Sequence, residues 1–273
     1  ERTYYPFLQA FEDCVVPVTH CISGHGLELF KSNHDDSFLE RLQKGARSGM
    51  CEIATKGMSD AFFSYLPEDD VLEQLVQGIE IQKELLGVSC HGFFPAEGWI
   101  DVFVVNALRK KEFDWAIVSP DFFDLGLEES SNLFCLKGIE QQRLPVFCVF
   151  QSERNVLAGI FEGKTDVKGF VNQIFQQFDK YKNPVLTFQL DMELPFFLEN
   201  PNSAVKRFQF FLQCLQNAGS FHFALPSSLL QRSIPSEREI YPNVPYQRRL
   251  DILLGEARNA LQKAQQKDPH SVT

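Results

Sequence analysis

Acidic side chains stand within or directly after the short apolar runs of this sequence. Glu52 lies inside one such run, while Glu97 and Asp121 directly follow two others. Asp191 and Glu193 stand at the end of a fourth run, two positions apart, which puts both on one face of an extended chain. Because an ionised carboxylate is costly to bury, acids in such places are either paired or used in chemistry.

Glu97 and Asp191 are the pair that the sequence favours as catalytic groups. In a parallel α/β barrel the carboxyl ends of the strands meet at one rim, where active sites form, so the two acids are expected to face one cleft. Two carboxyl groups about 5–5.5 Å apart can cleave a glycosidic bond with retention, one as nucleophile and one as proton donor. For each acid taken alone, capping of the next helix is the alternative role.

The order of elements along the chain predicts the α/β class. Short β-type runs alternate with amphipathic helical stretches up to about residue 230, as in a sheet covered by helices. The predicted strands are 14–22, 50–54, 89–94, 115–119, 143–150, 184–191 and 221–225. The predicted helices include one after Pro67 that ends at Gly87, and two with apolar stripes at 167–178 and 205–215.

Residues 232–247 contain three prolines and are expected to form an extended connection. A last amphipathic helix is predicted at about 247–266. The predicted organisation is therefore a catalytic barrel over 1–231, followed by a connection and a docked C-terminal helix over 232–273.

Composition narrows the classes of partner. The formal net charge of −10 and the scarcity of clustered Lys and Arg argue against a nucleic-acid partner. No apolar run is long enough to cross a bilayer, and the first residues lack a signal-peptide pattern. Seven cysteines without C-x-x-C spacing are expected to be reduced core residues. These features predict a soluble, cytoplasmic protein, and they leave its oligomeric state open.

Several segments, in the same order along the chain, resemble the motifs of the family-57 glycoside hydrolases. These are 50–53 (MCEI, similar to V-E-I-L), 66–70 (LPEDD, a helix start), 92–98 (GFFPAEG, similar to the G-F-x-P-x-E nucleophile segment), 113–118 (FDWAIV, an aromatic-rich strand), 190–193 (LDME, similar to D-Y-E or D-G-E) and 223–227 (FALPS, a closing strand end).

The resemblance implies an incomplete (β/α)7 barrel whose first strand, with its H-Q-P segment, is missing. It implies a retaining enzyme acting on an α-glucan or maltooligosaccharide, as a hydrolase or a 4-α-glucanotransferase, without a metal or cofactor. Glu97 would be the nucleophile and Asp191 the general acid/base. Glu52 and Trp99 would shape the sugar subsite, although core packing is a rival role for Trp99.

Asp121 and Glu193 are predicted substrate-binding residues, with a helix cap or an ion pair as alternative roles. Asp60 stands near the place of the family's usual histidine, and residues 194–197 replace the glycines that follow the family's D-x-E segment. Such changes are compatible with a second reading, a carbohydrate-binding relative that does not cleave.

A metal-dependent polysaccharide deacetylase is a third reading. Its chemistry needs one Asp and two His on the metal. His20 and His25 have a spacing of five and are the nearest approach to that pattern, and each is also readily explained as a core or loop histidine.

Overall fold

The structure is a computed structural model. It describes residues 4–34, 36–120, 133–139, 142–150, 153–179, 181, 184–193, 198, 200–219, 221–232 and 236–240.

A seven-stranded sheet runs through the described part of the chain. Its strands are β1 (Val18–Ile22), β2 (Cys51–Thr55), β3 (Gly92–Phe93), β4 (Trp115–Val118), β5 (Leu133–Lys137), β6 (Arg143–Cys148) and β7 (Ser236–Ile240). The spatial order is β1-β2-β3-β4-β6-β5-β7. Four pairs are parallel: β1–β2, β2–β3, β3–β4 and β4–β6. Strand β5 is antiparallel to β6, and β7 is parallel to β5.

Nine α-helices are described before and between these strands. They are α1 (Tyr4–Cys14), α2 (Gly24–Ser32), α3 (Asp36–Arg47), α4 (Glu68–Leu86), α5 (Val102–Lys110), α6 (Glu153–Glu162), α7 (Val167–Phe178), α8 (Pro201–Asn217) and α9 (Pro226–Arg232). One-turn 3-10 helices lie at Phe63–Tyr65 and Ala96–Gly98.

Helix α4 begins and ends where its sequence signals predict. Pro67 precedes a first turn that carries three acids, which interact favourably with the positive end of the helix dipole. Gly87 ends the helix in the left-handed conformation, with φ of 66°. The predicted helices at 167–178 and 205–215 are also confirmed, as α7 and within α8.

One face of the sheet is covered by a compact apolar cluster. Its buried members come from β2, β4, β5 and β6 and from the residues directly after β3 and β6, with Leu229 and Leu230 of α9 packed against it. Trp115 crosses its neighbouring strand at Gly92, where a Cβ atom would lie 2.1 Å from the indole ring. A glycine at position 92 is therefore required for the large indole to fill this layer.

The helices form two further apolar clusters. One is built from α1, α6, α7 and α8 and is dominated by phenylalanines, several in edge-to-face contact. The other joins α2, α3 and α4 to β1 and β2. Burial of this apolar area is the main term that holds the helices on the sheet.

Three strand predictions differ from the structure. Cys14 is the last residue of α1, and Val15 is a left-handed residue that is 68% exposed, so the first strand begins only at Val18. The runs at 184–191 and 221–225 form no ladder, and the former has only an isolated bridge between Val149 and Thr187. β5 was not predicted.

The predicted boundary near residue 231 and the helix at 247–266 stay predictions, because residues 241–273 lie outside the described part. Within the proline-containing segment, β7 adds a strand to the sheet. All seven cysteines lie in the described ranges, where they form no disulfide and are buried or half-buried.

Candidate active site at the carboxyl ends of the strands

Glu97 lies just beyond the carboxyl end of β3. The backbone amide of Phe94 continues the strand pairing by donating to the carbonyl of Thr55 at 2.9 Å. Pro95 then ends the ladder, because it has no N–H to donate. The chain closes into a single tight turn at Ala96–Gly98, which carries the glutamate at its centre.

The backbone of Glu97 is left-handed, with φ of 55° and ψ of 13°. Val15, His34 and Glu112 are the other non-glycine residues of the described chain with positive φ, and each directly follows the last turn of an α-helix, where this conformation is common. Glu97 has no such helix before it. Left-handed strain on a non-glycine residue away from a helix end is typical of functional sites.

The same conformation turns the Glu97 side chain out of its apolar surroundings. Ala96, Gly98 and Trp99 are buried, whereas Glu97 is exposed. Gly98 is also left-handed, and its carbonyl accepts the amide of Ser119 at 2.9 Å. The turn is thereby fixed to the carboxyl end of β4.

Asp191 ends a segment that runs parallel to the end of β6. The amide of Phe150, just after β6, donates to the carbonyl of Thr187 at 2.9 Å, so the segment that leads to Asp191 runs beside β6. Leu190 and Met192 pack against the phenylalanine-rich helix cluster, while Asp191 is exposed.

Asp191 and Glu193 form a small hydrogen-bonded turn. The amide of Glu193 donates to Oδ1 of Asp191 at 2.9 Å. The hydroxyl of Tyr4, the first residue of α1, donates to Oε1 of Glu193. Burial, and next the hydrogen bond to Glu193, raise the pKa of Tyr4, so its phenol stays protonated and remains a donor.

The two predicted catalytic acids therefore lie at the same edge of the sheet. Glu97 follows β3 and Asp191 follows the segment beside β6, with β4 and β6 between them. Three strand spacings correspond to about 14 Å along a flat sheet, and closure of a sheet into a barrel makes the direct path shorter.

Glu52 lies at the other end of its strand, as the second residue of β2. Its carboxylate accepts the backbone amide of Ser227 at 3.2 Å and is half-buried. Burial raises the pKa of Glu52, and the hydrogen bonds from Ser227 partly offset that rise. In the structure Glu52 thus fixes the first turn of α9, and its predicted role in a sugar subsite stays a prediction.

Trp99 is 4% exposed and packs in the core. Its indole meets Tyr65 edge to face, with the ring centroids 5.2 Å apart, and meets Phe62 similarly at 6.2 Å. Tyr65 is 41% exposed and was not singled out in the sequence. The stacking of a sugar on Trp99 stays a prediction. Of the three rings in contact here, Phe62, Tyr65 and Trp99, Tyr65 is the exposed one.

Lys56 was also missed by the sequence analysis. It follows β2, forms an ion pair with Asp60, and holds its ammonium 5.3 Å from the centre of the Phe94 ring. The position that departs from the family's histidine is therefore half of a partly buried ion pair.

The remaining predicted site residues are placed as follows. Asp121 lies outside the described residues. His20 is buried in β1, where desolvation lowers its pKa to about 4. The His25 side chain is largely exposed on α2, and its ring nitrogen lies 3.8 Å from the Glu28 carboxylate. Within the described ranges, no three His, Cys, Asp or Glu side chains are grouped to hold a metal ion.

A cleft of about 550 Å³ lies at the opposite end of the strands from Glu97 and Asp191. Asp114, directly before β4, and Arg143, the first residue of β6, contribute to its wall together with Ser227. Neither predicted catalytic acid lines this cleft. The candidate site is therefore at the carboxyl ends of the strands and not in this cleft.

Of the helices that the structure describes, none is long and apolar enough to cross a membrane.

A mostly parallel sheet packed against helices, with acids at the carboxyl ends of its strands, is typical of the α/β-barrel enzymes. The sequence profile described as Glycosyl hydrolase family 57 matches residues 1–243. The chain belongs to this family. No curated protein matches it significantly by sequence.

Solved structures with a similar fold include three enzymes. The 4-alpha-glucanotransferase from Thermococcus litoralis has 20% sequence identity and a TM-score of 0.74, over 89% of this chain and 38% of the other. The alpha-amylase AmyC from Thermotoga maritima has 12% identity and a TM-score of 0.69, over 88% and 70%. The GH57-type branching enzyme from Pyrococcus horikoshii has 13% identity and a TM-score of 0.69, over 89% and 66%.

These similarities confirm the predicted α/β class and its relation to the family-57 barrels. The chain spans 38% of the length of the glucanotransferase and 66% of the length of the branching enzyme.

Proposed function

We propose that this protein is a retaining glycoside hydrolase or glycosyl-transfer enzyme that acts on α-glucans. Glu97 is its nucleophile and Asp191 its general acid/base. Membership of family 57 supports the class of reaction, and the similar solved structures carry the names of amylase, glucanotransferase and branching enzyme.

The observation that carries the proposal is the conformation of Glu97. A strained, left-handed glutamate that is exposed at a strand end is costly to keep, because an L-residue in this conformation loses about 1–2 kcal/mol. A glutamate in this strained turn, which is fixed to β4, is explained if its carboxylate must face a ligand.

The reaction has two steps. The Glu97 carboxylate attacks the anomeric carbon while protonated Asp191 gives its proton to the leaving glycosidic oxygen, so that one C–O bond forms and one breaks. In the second step Asp191 takes a proton from water or from a sugar hydroxyl, which attacks the same carbon and releases Glu97. Water gives hydrolysis, and a sugar hydroxyl gives transfer.

Product analysis with maltoheptaose tests the proposal. We expect turnover by the wild-type chain and a loss of roughly 10³-fold or more in Glu97→Gln, because the covalent route is removed. Asp191→Asn should lose about 10²–10⁴-fold. Glu112→Gln is the matched control, since Glu112 is also exposed and left-handed but follows α5; it should keep full activity.

The covalent intermediate gives a second test. In Asp191→Asn, α-maltosyl fluoride should still react, because fluoride leaves without a proton donor, while the missing base slows the second step. Mass spectrometry should then find a maltosyl group on the peptide that contains Glu97. Full turnover in Glu97→Gln would overturn the proposal, and glucan binding without turnover in the wild type would indicate a carbohydrate-binding relative.

A further inference from the structure

Tyr4 connects the start of the described chain to the candidate acid/base. Its hydroxyl donates to Oε1 of Glu193, a residue 189 positions later. Its ring is held by the α2 and α3 helices, with centroids 5.6 Å from Phe30 and 5.9 Å from Phe38. The phenol is therefore fixed by packing at one end and by a carboxylate at the other.

Glu193 connects Tyr4 to Asp191 through its own backbone. The backbone amide of Glu193 donates to Oδ1 of Asp191 at 2.9 Å. A carboxylate oxygen that accepts an amide in this way has its rotation restricted, as in an Asx turn. Tyr4, Glu193 and Asp191 are thus connected by two hydrogen bonds, each accepted by a carboxyl oxygen.

We infer that Tyr4 is a positioning residue, which orders the 191–193 turn and thereby sets the orientation of the Asp191 carboxylate. This inference rests on the proposed function for the catalytic meaning of Asp191. The ordering of the turn does not depend on turnover. Tyr4 itself contacts no substrate in this scheme and acts only through Glu193.

The neighbouring residue Tyr5 provides a matched control. It lies on the same turn of α1, and its ring also packs against Phe38, at 5.8 Å. Its hydroxyl is hydrogen-bonded to Ser37 and not to the acid-bearing turn. Tyr5→Phe therefore removes a phenol hydroxyl of the same helix without touching the two hydrogen bonds that connect Tyr4 to Asp191.

The kinetic experiment compares Tyr4→Phe with Tyr5→Phe on maltoheptaose. We expect kcat to fall about 10-fold in Tyr4→Phe with KM unchanged, because a loose acid/base weakens proton transfer but not sugar binding. Tyr5→Phe should keep both constants. Equal melting temperatures of the two variants will separate positioning from a general loss of stability.

Hydrogen exchange of the Glu193 amide, followed by NMR on the ¹⁵N-labelled chain, provides a readout that needs no activity. We expect exchange about 10-fold faster in Tyr4→Phe than in wild type, and an unchanged rate in Tyr5→Phe. The inference would be overturned if the Glu193 amide of Tyr4→Phe exchanged at the wild-type rate. It would also be overturned if the wild type were active and Tyr4→Phe had the same kcat.

The kinetic and the hydrogen-exchange measurements distinguish a failure of this inference from a failure of the proposed function. An inactive wild type whose Glu193 amide still exchanges faster in Tyr4→Phe would count against the proposed function but not against the ordering of the turn. An active wild type in which Tyr4→Phe matches Tyr5→Phe in either measurement would remove this inference and leave the proposed function standing.

Discussion

The backbone of Gly98 lies against Ser119 so closely that a Cβ atom at position 98 would come within 2.6 Å of the Ser119 amide nitrogen. That amide donates to the Gly98 carbonyl at 2.9 Å. The turn that presents Glu97 is therefore fixed to β4 through the residue directly after the glutamate.

Gly98→Ala should be strongly destabilising and should lower activity. The new methyl group meets backbone atoms and also forces an L-residue into φ of 73°. We expect a loss of about 2–4 kcal/mol in the free energy of unfolding. Gly49→Ala is the control, since Gly49 has φ of 72° with nothing within 4 Å of its Cβ position; it should lose only about 1 kcal/mol.

Urea unfolding followed by fluorescence will measure both variants. Equal losses at the two positions would show that the close approach to Ser119 does not fix the turn.

A second prediction concerns the strain at Glu97. Glu97→Ala and Glu97→Gly both remove the carboxylate and should both abolish turnover. The glycine variant should be about 1 kcal/mol more stable than the alanine variant, because only glycine adopts the left-handed conformation without steric cost. Because both variants lack the glutamate side chain, the difference in their stability does not depend on any contact that this side chain makes.

Thermal unfolding of the two proteins measures this difference. If alanine were as stable as glycine, the left-handed turn would not be strained, and the main argument for a functional Glu97 would fail.

The sequence predicted the elements that have strong local signals. Proline, three acids and a terminal glycine define α4, and the structure confirms both ends. Cys14 was placed wrongly in a strand because its apolar run, with two adjacent valines, favours β structure locally. Packing of Phe7 and Phe11 against Phe208 makes the same region helical, and no local pattern records that contact.

The candidate site was predictable in part. The position of Glu97 after a strand could be read from the sequence, because proline directly follows an apolar run. Its left-handed backbone could not, since it depends on the approach of Gly98 to Ser119. The contact between Tyr4 and Glu193 joins residues far apart in the chain and depends on the complete fold.

A third prediction concerns Tyr65 as a platform for sugar. Its exposed ring lies against Trp99, two residues beyond Glu97. Tyr65→Ala should raise KM for maltoheptaose about 2–10-fold, the equivalent of a lost ring contact of roughly 0.5–1.5 kcal/mol, while Tyr65→Phe should keep it. Phe210→Ala, an exposed ring on α8, should leave KM unchanged.

Initial rates over a range of maltoheptaose concentrations will give these constants. An unchanged KM in Tyr65→Ala would place the sugar elsewhere on the rim.

A fourth prediction links stability to pH through His20. The side chain is 7% exposed, and desolvation lowers its pKa from 6.5 to about 4. Below pH 6.5 the unfolded chain binds a proton at this position that the folded protein does not accept until about pH 4. Stability is therefore lost progressively as the pH falls through this window.

The wild type should lose about 2 kcal/mol more than His20→Gln between pH 7.5 and pH 5, because a shift of one pKa unit corresponds to about 1.4 kcal/mol. The other titrating groups are common to both proteins and cancel in the comparison. His25→Gln, which replaces a largely exposed side chain, should follow the wild type. Urea unfolding at a series of pH values measures the three slopes, and parallel curves for wild type and His20→Gln would mean that His20 accepts its proton in the folded state.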